Sequence, residues 1–361
     1  MKGLAICYKG IEDISSKEIS KLINIKNEAR EGCVVFDFEK LDEIALICYK
    51  TQSINRILLL LDYFKISNIE DLKRINKIDF SKWLKNRTFA ARCEIIGNEK
   101  LRSREVEKAA GDEISGKVDL ENPDVFVFVY IFKDNCYVGI DFSGDLSKRD
   151  YKIFASPMSL KGTIAYSLVR IGRYSSEKKL LDCFCGSGEI PIESALFASK
   201  FPLNFFNKKK FPFLKFKEFD FDKVDKEILK EKLQINAFDT EQRRVKSAEK
   251  NAKIAGVNKL INFSRQDIKF LELKFKDELD LIITCIPRLT RQVSREKILK
   301  LYKEFFYQAD YILKKEGKIV ICYKDYPELI KKEAADNKFK VIHEREIEHG
   351  KEVLKVVVFS K

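Results

Sequence analysis

What this chain has little of narrows its chemistry before any motif is considered. Its 361 residues include two histidines, His343 and His349, neither near a recognisable catalytic partner, which argues against a histidine-centred hydrolase. Long apolar runs are missing: the tight run Ile57 to Leu61, for example, stops at Asp62, far too short to span a bilayer. The first nine residues, Met1-Lys2-Gly3-Leu4-Ala5-Ile6-Cys7-Tyr8-Lys9, soon meet charge and read as a strand, not a signal peptide. There is no disulfide framework either, because nine scattered cysteines are an odd number, and Cys183-x-Cys185 has no second pair to complete a metal site. The expectation is a cytoplasmic protein kept reduced, without a metal and without membrane association.

What is present fits a folded polyanion binder. Hydrophobic residues make up 45% and charged residues 35%, a globular balance, and the length leaves room for two or three domains. Net charge is +13. Such an excess favours phosphate-rich partners through counterion release, although a lysine-rich surface that is merely solvated carries the same charge.

The informative stretch is Leu180-Leu181-Asp182-Cys183-Phe184-Cys185-Gly186-Ser187-Gly188-Glu189-Ile190-Pro191. A short apolar strand ends in an aspartate and a Gly-x-Gly turn, and a helix opens with proline in its first turn, where a missing N–H costs nothing. Glycines permit positive φ and close approach of a ligand, and the helix N-terminus behind them offers free N–H groups. A dinucleotide fingerprint wants a third glycine three residues after the second; that position is Pro191, which weakens the dehydrogenase reading. A tight βα turn without any ligand is the plainer alternative. The stretch resembles the first motif of S-adenosylmethionine-dependent methyltransferases, in the Asp-Pro-Phe-Cys-Gly-Ser-Gly form of RNA methylases: Asp182, Phe184, Cys185, Gly186, Ser187 and Gly188 match, and Cys183 stands for the proline.

Upstream, strands are predicted over Leu4–Tyr8, Cys33–Phe38 and Ile54–Phe64, with a capping box at Ser15 and Glu18 and a helix over Leu41–Tyr49. Further strands fall over Phe89–Ile96, which carries Arg92, over Val125–Phe132 and over Cys136–Phe142, with a helix capped by Ser103. The run Asp141-Phe142-Ser143-Gly144-Asp145-Leu146-Ser147-Lys148-Arg149-Asp150-Tyr151 is similar to the end of a THUMP domain, an RNA-binding module. The resemblance implies three domains: a ferredoxin-like α+β layer over 1–70, a THUMP domain over 71–152 and a Rossmann-like class I methyltransferase domain over 153–361. It also implies contact of Arg92, Lys148 and Arg149 with tRNA at the acceptor end; taken alone Lys148 and Arg149 suit a solvated linker, but between a predicted hairpin and a methylase the RNA reading is favoured. A proline joint is expected at Ser156-Pro157-Met158-Ser159-Leu160, then a helix from Thr163 to Ile171.

Between the first motif and the second strand lies Phe201–Lys232, where phenylalanines alternate with bases including Lys208, Lys209 and Lys210. Aromatic faces stack on splayed bases while lysines meet phosphates; the competing reading packs these phenylalanines against a sheet edge. The doubly wound pattern then resumes. Gln234–Asp239 is strand two, Glu241–Ala255 a helix, Leu260–Ser264 strand three and Leu279–Thr284 strand four. By resemblance Asp239 takes the ribose hydroxyls of S-adenosylmethionine and Asp267 the adenine amine, though either aspartate also suits a helix N-cap. A helix over Leu301–Leu313, a strand over Gly317–Tyr323, a helix over Glu328–Asp336 and a closing pair over Lys338–Glu348 and Lys351–Ser360 complete a seven-stranded doubly wound sheet; His349 reads as a turn residue.

The end of strand four departs from the family. Amino-group methylases carry Asn or Asp, a small or apolar residue, proline and an aromatic; here the run is Cys285-Ile286-Pro287-Arg288. A thiol is a weak acceptor for amine hydrogens, and Arg288 supplies a flat stacking surface in place of a ring. The catalytic candidates are thus Cys285, Pro287 and Arg288. The reading favoured is a monomeric tRNA guanine-N2 methyltransferase of the THUMP-containing family, similar to its archaeal and bacterial members. Two rivals stay open: an RNA-binding protein that kept the fold and lost catalysis, and a C5-pyrimidine methylase with Cys285 as covalent nucleophile.

Overall fold

The computed structural model describes residues 1–155, 159–288, 294–350 and 352–361, and the chain divides into two compact units. The first comprises residues 1–146 and 204–221, the second 147–203 and 222–361. The first part of the expected proline joint, Ser156 to Met158, lies outside the described residues, as does Lys351 at the start of the last strand.

The first unit is built on strands β1 (Lys2–Ile6), β2 (Asn27–Arg30), β3 (Cys33–Asp37), β4 (Arg56–Lys65), β5 (Thr88–Ile96), β6 (Lys117–Val118), β7 (Val125–Phe132) and β8 (Asn135–Asp141). Helices α1 (Glu12–Ile23), α2 (Leu41–Lys50), α3 (Ser81–Leu84) and α4 (Ser103–Asp112) connect them. All eight strands join one sheet in the order β2-β3-β1-β4-β8-β7-β5-β6, so residues 1–70 and 71–146 share a continuous ladder through β4 and β8. The almost unbroken apolar run of β7 is explained by its place inside that sheet, where seven of its eight residues are buried. Ser15 and Glu18 do not form the expected capping box. Helix α1 already starts at Glu12, and the Glu18 carboxylate accepts hydrogen bonds from Thr51, Gln52 and Ser53 at the end of α2.

The second unit carries α5 (Gly162–Ile171), β9 (Leu180–Asp182), α6 (Glu189–Ala198), β10 (Ile235–Asp239), α8 (Gln242–Ile254) and β11 (Ile261–Arg265); the short α7 (Phe221–Asp225) precedes β10. It continues with β12 (Leu279–Cys285), α9 (Arg295–Ile312), β13 (Leu313–Tyr323), α10 (Pro327–Asp336), β14 (Lys340–His349) and β15 (Glu352–Ser360). The strand order β11-β10-β9-β12-β13-β15-β14 is that of a seven-stranded doubly wound sheet with β15 antiparallel, and its reversal between β9 and β12 opens a crevice at their carboxyl ends. Helix α9 begins six residues before the apolar periodicity suggests, because Ser294 caps it by accepting from the Lys297 N–H at 3.4 Å. Likewise β13 starts at Leu313, paired with Leu279, ahead of Gly317.

Candidate active site

At the end of β9 the chain makes its glycine turn. The Cys185 N–H donates to the Phe238 carbonyl at 2.9 Å and the Gly188 N–H to the Cys185 carbonyl at 2.7 Å. Gly188 sits at φ +89, and a Cβ there would meet the Ala248 Cβ of α8 at 2.9 Å, so helix packing itself demands glycine. Gly186 sits at φ +52 with no atom closer to an imagined Cβ than the Phe184 carbonyl oxygen at 4.0 Å, which leaves an open cradle. The half-buried Phe184 ring packs near Phe305, centroids 6.0 Å apart.

Three aspartates from neighbouring strand ends gather around this turn. Asp182 is buried; its Oδ1 accepts from the Thr284 hydroxyl at 2.7 Å and the Phe184 N–H at 3.2 Å. Burial pushes its carboxyl up to about 7 against the lowering effect of those donors, with Asp239 and Glu189 adding repulsion. Asp239, also buried, accepts from the Gly186 N–H at 3.2 Å and the Glu241 N–H at 3.0 Å; burial raises its carboxyl as well. Each of its oxygens retains a second lone pair for a ligand hydroxyl. Asp267 follows β11, is exposed, and caps the next 3-10 segment by accepting the Lys269 N–H at 3.1 Å.

A layer of buried polar groups holds the turn from behind. Asn251 of α8 donates to the Ser187 carbonyl at 2.9 Å and the Phe154 carbonyl at 3.1 Å and accepts the Phe154 N–H at 3.0 Å. Ser187 donates to Glu189 at 2.8 Å, and Lys152 pairs with the same carboxylate at 3.3 Å. Arg149 corrects a sequence expectation. Its side chain is fully buried, paired with the equally buried Glu193 through Nε at 2.7 Å, while the Tyr151 hydroxyl donates to the same Glu193 oxygen at 2.8 Å. A guanidinium so enclosed has no path to a phosphate. Gly162 is glycine here because any Cβ would strike the Arg149 side chain.

The end of β12, hydrogen-bonded neighbour of β9, is built differently. Thr284 is consumed by Asp182. Cys285 pairs in register with Cys322 of β13, and a hydrogen bond between the two thiols, together with burial, holds the Cys322 thiol well above its ordinary range. The Ile286 N–H donates to the Cys322 carbonyl at 3.2 Å, and the Pro287 carbonyl accepts from the Tyr302 hydroxyl at 2.7 Å. Cys285 and the half-buried Arg288 line a cavity of about 90 Å³. The topology thus brings Asp182, Phe184, Gly186, Gly188, Asp239, Cys285, Pro287 and Arg288 to one end of the sheet, with Asp267 on the flank.

The remaining basic candidates lie elsewhere. Lys148 is exposed. In the first unit Arg92 donates to the Ala91 and Leu120 carbonyls, both at 2.9 Å, and lies over the Phe126 ring. Lys209 is exposed, Lys208 and Lys210 half-buried, and Lys208 lies over Phe205 at 5.0 Å. Most insertion phenylalanines follow the packing reading: Phe211, Phe219 and Phe221 surround Tyr49 of α2, and Phe216 stacks on Phe142 and meets Trp83 edge-on. Phe206, 68% exposed, is the exception.

Sequence reasoning passed over Thr284, Asn251, Glu193 and Tyr302. Asn251 and Glu193 carried a signal: each is a polar residue on an otherwise apolar helix face, a place where burial demands partners. Tyr302 carried none, since its partner is a backbone carbonyl fifteen residues away.

Known proteins share this organisation. The family model for the RMKL-like methyltransferase domain matches residues 149–355, and the THUMP domain model matches residues 67–141. The chain is 35% identical over 364 residues to the tRNA (guanine(6)-N2)-methyltransferase of Methanocaldococcus jannaschii, covering 94% of this chain and 95% of that one. It is 27% identical to the protein of the same name from Archaeoglobus fulgidus, covering 97% and 90%. Among solved structures, TrmN from Thermus thermophilus superposes with a TM-score of 0.73 at 22% identity, covering 100% of this chain and 99% of that one. A protein crystallised as a complex with SAH reaches 0.82 at 19% identity, covering 99% and 97%. These likenesses establish the fold.

Proposed function

Since the chain belongs to the RMKL-like methyltransferases that carry a THUMP domain, we propose that it transfers a methyl group from S-adenosylmethionine to the N2 amine of a guanosine in tRNA. The observation that carries this reading is the meeting of the glycine turn, the Asp239 carboxylate and the end of β12 at one switch point, in a chain colinear with a tRNA guanine-N2 methyltransferase. The residues fit the cofactor. Gly186 leaves the cradle open, Asp239 has lone pairs to spare for two ribose hydroxyls, and Asp267 is exposed beside it for the adenine amine. When bound, S-adenosylmethionine supplies an electrophilic methyl on a sulfonium.

The chain's own residues do the positioning, which is the main resource of a direct displacement. Asp182 and Thr284 tie β9 to β12, so the cofactor turn and the acceptor end are registered against each other by a single buried hydrogen bond. Tyr302 orients the Pro287 carbonyl. The Cys285 sulfur accepts weakly from the guanine amine, and Arg288 offers a planar face for the base. A THUMP domain over residues 71–152, with Lys148, and the lysines 208–210 bind tRNA phosphates; the acceptor end of a tRNA, bound by a monomer in the cytoplasm, completes the reading. Incubation of the purified protein with tRNA and labelled S-adenosylmethionine, followed by nucleoside mass spectrometry, tests it. N2-methylguanosine is expected; 5-methylpyrimidine, or no product with intact tRNA binding, overturns it.

A further inference from the structure

The cavity at the end of β12 has a second wall. It is lined by Cys285 and Arg288 on one side and by the paired His349 and Glu352, the last residue of β14 and the first of β15, on the other; Lys161 at the start of α5 and Ser159 also line it. Methylation of an exocyclic amine forms an N–C bond and breaks the sulfonium C–S bond, whose electron pair stays on sulfur. The nitrogen is left with one proton in excess, and a group at the site must take it.

Most groups around this space are unsuited. Glu352 is held by Lys324 at 2.6 Å, which keeps its carboxyl below the usual carboxylate range. Burial pushes the Tyr323 hydroxyl up to about 12, so it stays a donor. Lys161, Lys324 and Arg288 offer donors and no acceptor. Cys285, hydrogen-bonded to Cys322, is a thiol and only a weak acceptor. His349 differs. Burial lowers its pKa, Lys161 and Lys152 lower it further, and Glu352 opposes them, so the imidazole is neutral at neutral pH. A neutral imidazole has one nitrogen that accepts.

We propose that His349 accepts the proton that the guanine amine releases as it is methylated. The inference rests on the guanine-N2 reading above. The histidine becomes an imidazolium and, being half-buried, returns the proton to solvent.

With two histidines in the chain, imidazole NMR of the protein without cofactor separates them directly once His343→Gln assigns the exposed one. The His349 signal is expected to titrate below about 6.5 and to shift when tRNA is added. In turnover, His349→Asn is expected to lower kcat about 100-fold with little change in KM, to lose the acid limb of the kcat–pH profile, and to leave tRNA binding intact. His349→Ala is expected to regain activity with added imidazole; His343→Gln is expected to keep wild-type rates. N2-methylguanosine formation at wild-type rate and with an unchanged pH profile in both His349 variants overturns this proposal alone. Absence of N2-methylguanosine with the wild-type protein overturns the guanine-N2 reading as well.

Discussion

Two neighbouring strand ends in the second unit solve opposite problems. At the end of β9 buried polar side chains are tied to partners: Asp182 holds Thr284 and the Phe184 N–H, Asp239 holds the Gly186 N–H, and Asn251 holds Ser187. At the end of β12 the side chains that meet the cavity are a thiol and a guanidinium, with no carboxylate or amide in the four residues from Cys285 to Arg288. The first arrangement is rigid because each buried group would be costly to leave unsatisfied. The second leaves room, and its chemistry depends on what the opposite wall brings. A binding turn is thus specified by its own backbone, whereas an acceptor site is specified by elements distant in sequence.

Breaking the closed end from behind should give the largest effect. Arg149→Met leaves the Glu193 carboxylate buried without its charge partner, and unfolding free energy is expected to fall by about 3–5 kcal/mol, read by denaturant titration. The double variant Arg149→Met, Glu193→Met should recover most of that loss. If Arg149→Met instead keeps full stability and loses tRNA binding, the buried pairing is not its role.

The next effect is a pH dependence. The Asp182 carboxyl is raised from 3.8 to about 7 on folding, so its contribution is fully present below the unfolded value and is lost as pH rises through the folded one. Wild type is therefore expected to lose stability relative to Asp182→Asn between about pH 4 and 7, by on the order of 4 kcal/mol, with no further divergence above. Taking the difference between the two proteins cancels every other titrating group. A flat difference would show that Asp182 is ionised in the fold.

Function at the closed end is read by Asp239→Ala. On the proposed reading two charge-assisted hydrogen bonds to the ribose are removed, and calorimetry is expected to show S-adenosylmethionine affinity down about 100-fold, or ~2.7 kcal/mol. Retained affinity would move the cofactor away from this turn. At the open end the expected change is smaller and of opposite sign. Cys285→Asn places an amide oxygen where sulfur stood, and kcat for guanine methylation is expected to rise about fivefold, worth roughly 1 kcal/mol of improved acceptance. Loss of activity in both Cys285→Asn and Cys285→Ala, with a trapped adduct on fluoropyrimidine-substituted RNA, would instead make Cys285 a covalent nucleophile.

The linear chain alone determined the glycine turn, because Gly186 and Gly188 report a backbone that other residues resist, and it determined the order of strands and helices, because buried parallel strands need apolar centres such as Leu281–Ile283. It also marked Asp182 and Asp239 as strand-end acids. Tertiary structure decided the rest. Lys148 and Arg149 are identical in kind when read as adjacent bases, yet one is exposed and the other buried against Glu193, since a charge's fate depends on a partner 44 residues away. From composition any one insertion phenylalanine reads as core before stacking platform, and Tyr49, Trp83 and Phe142 beside them show which of them pack. His349 reads as a turn residue, yet it is the last residue of β14, paired with Glu352; its place on the wall of the Cys285 cavity follows from the antiparallel return of β15 along β13, a pairing that no local pattern near His349 encodes.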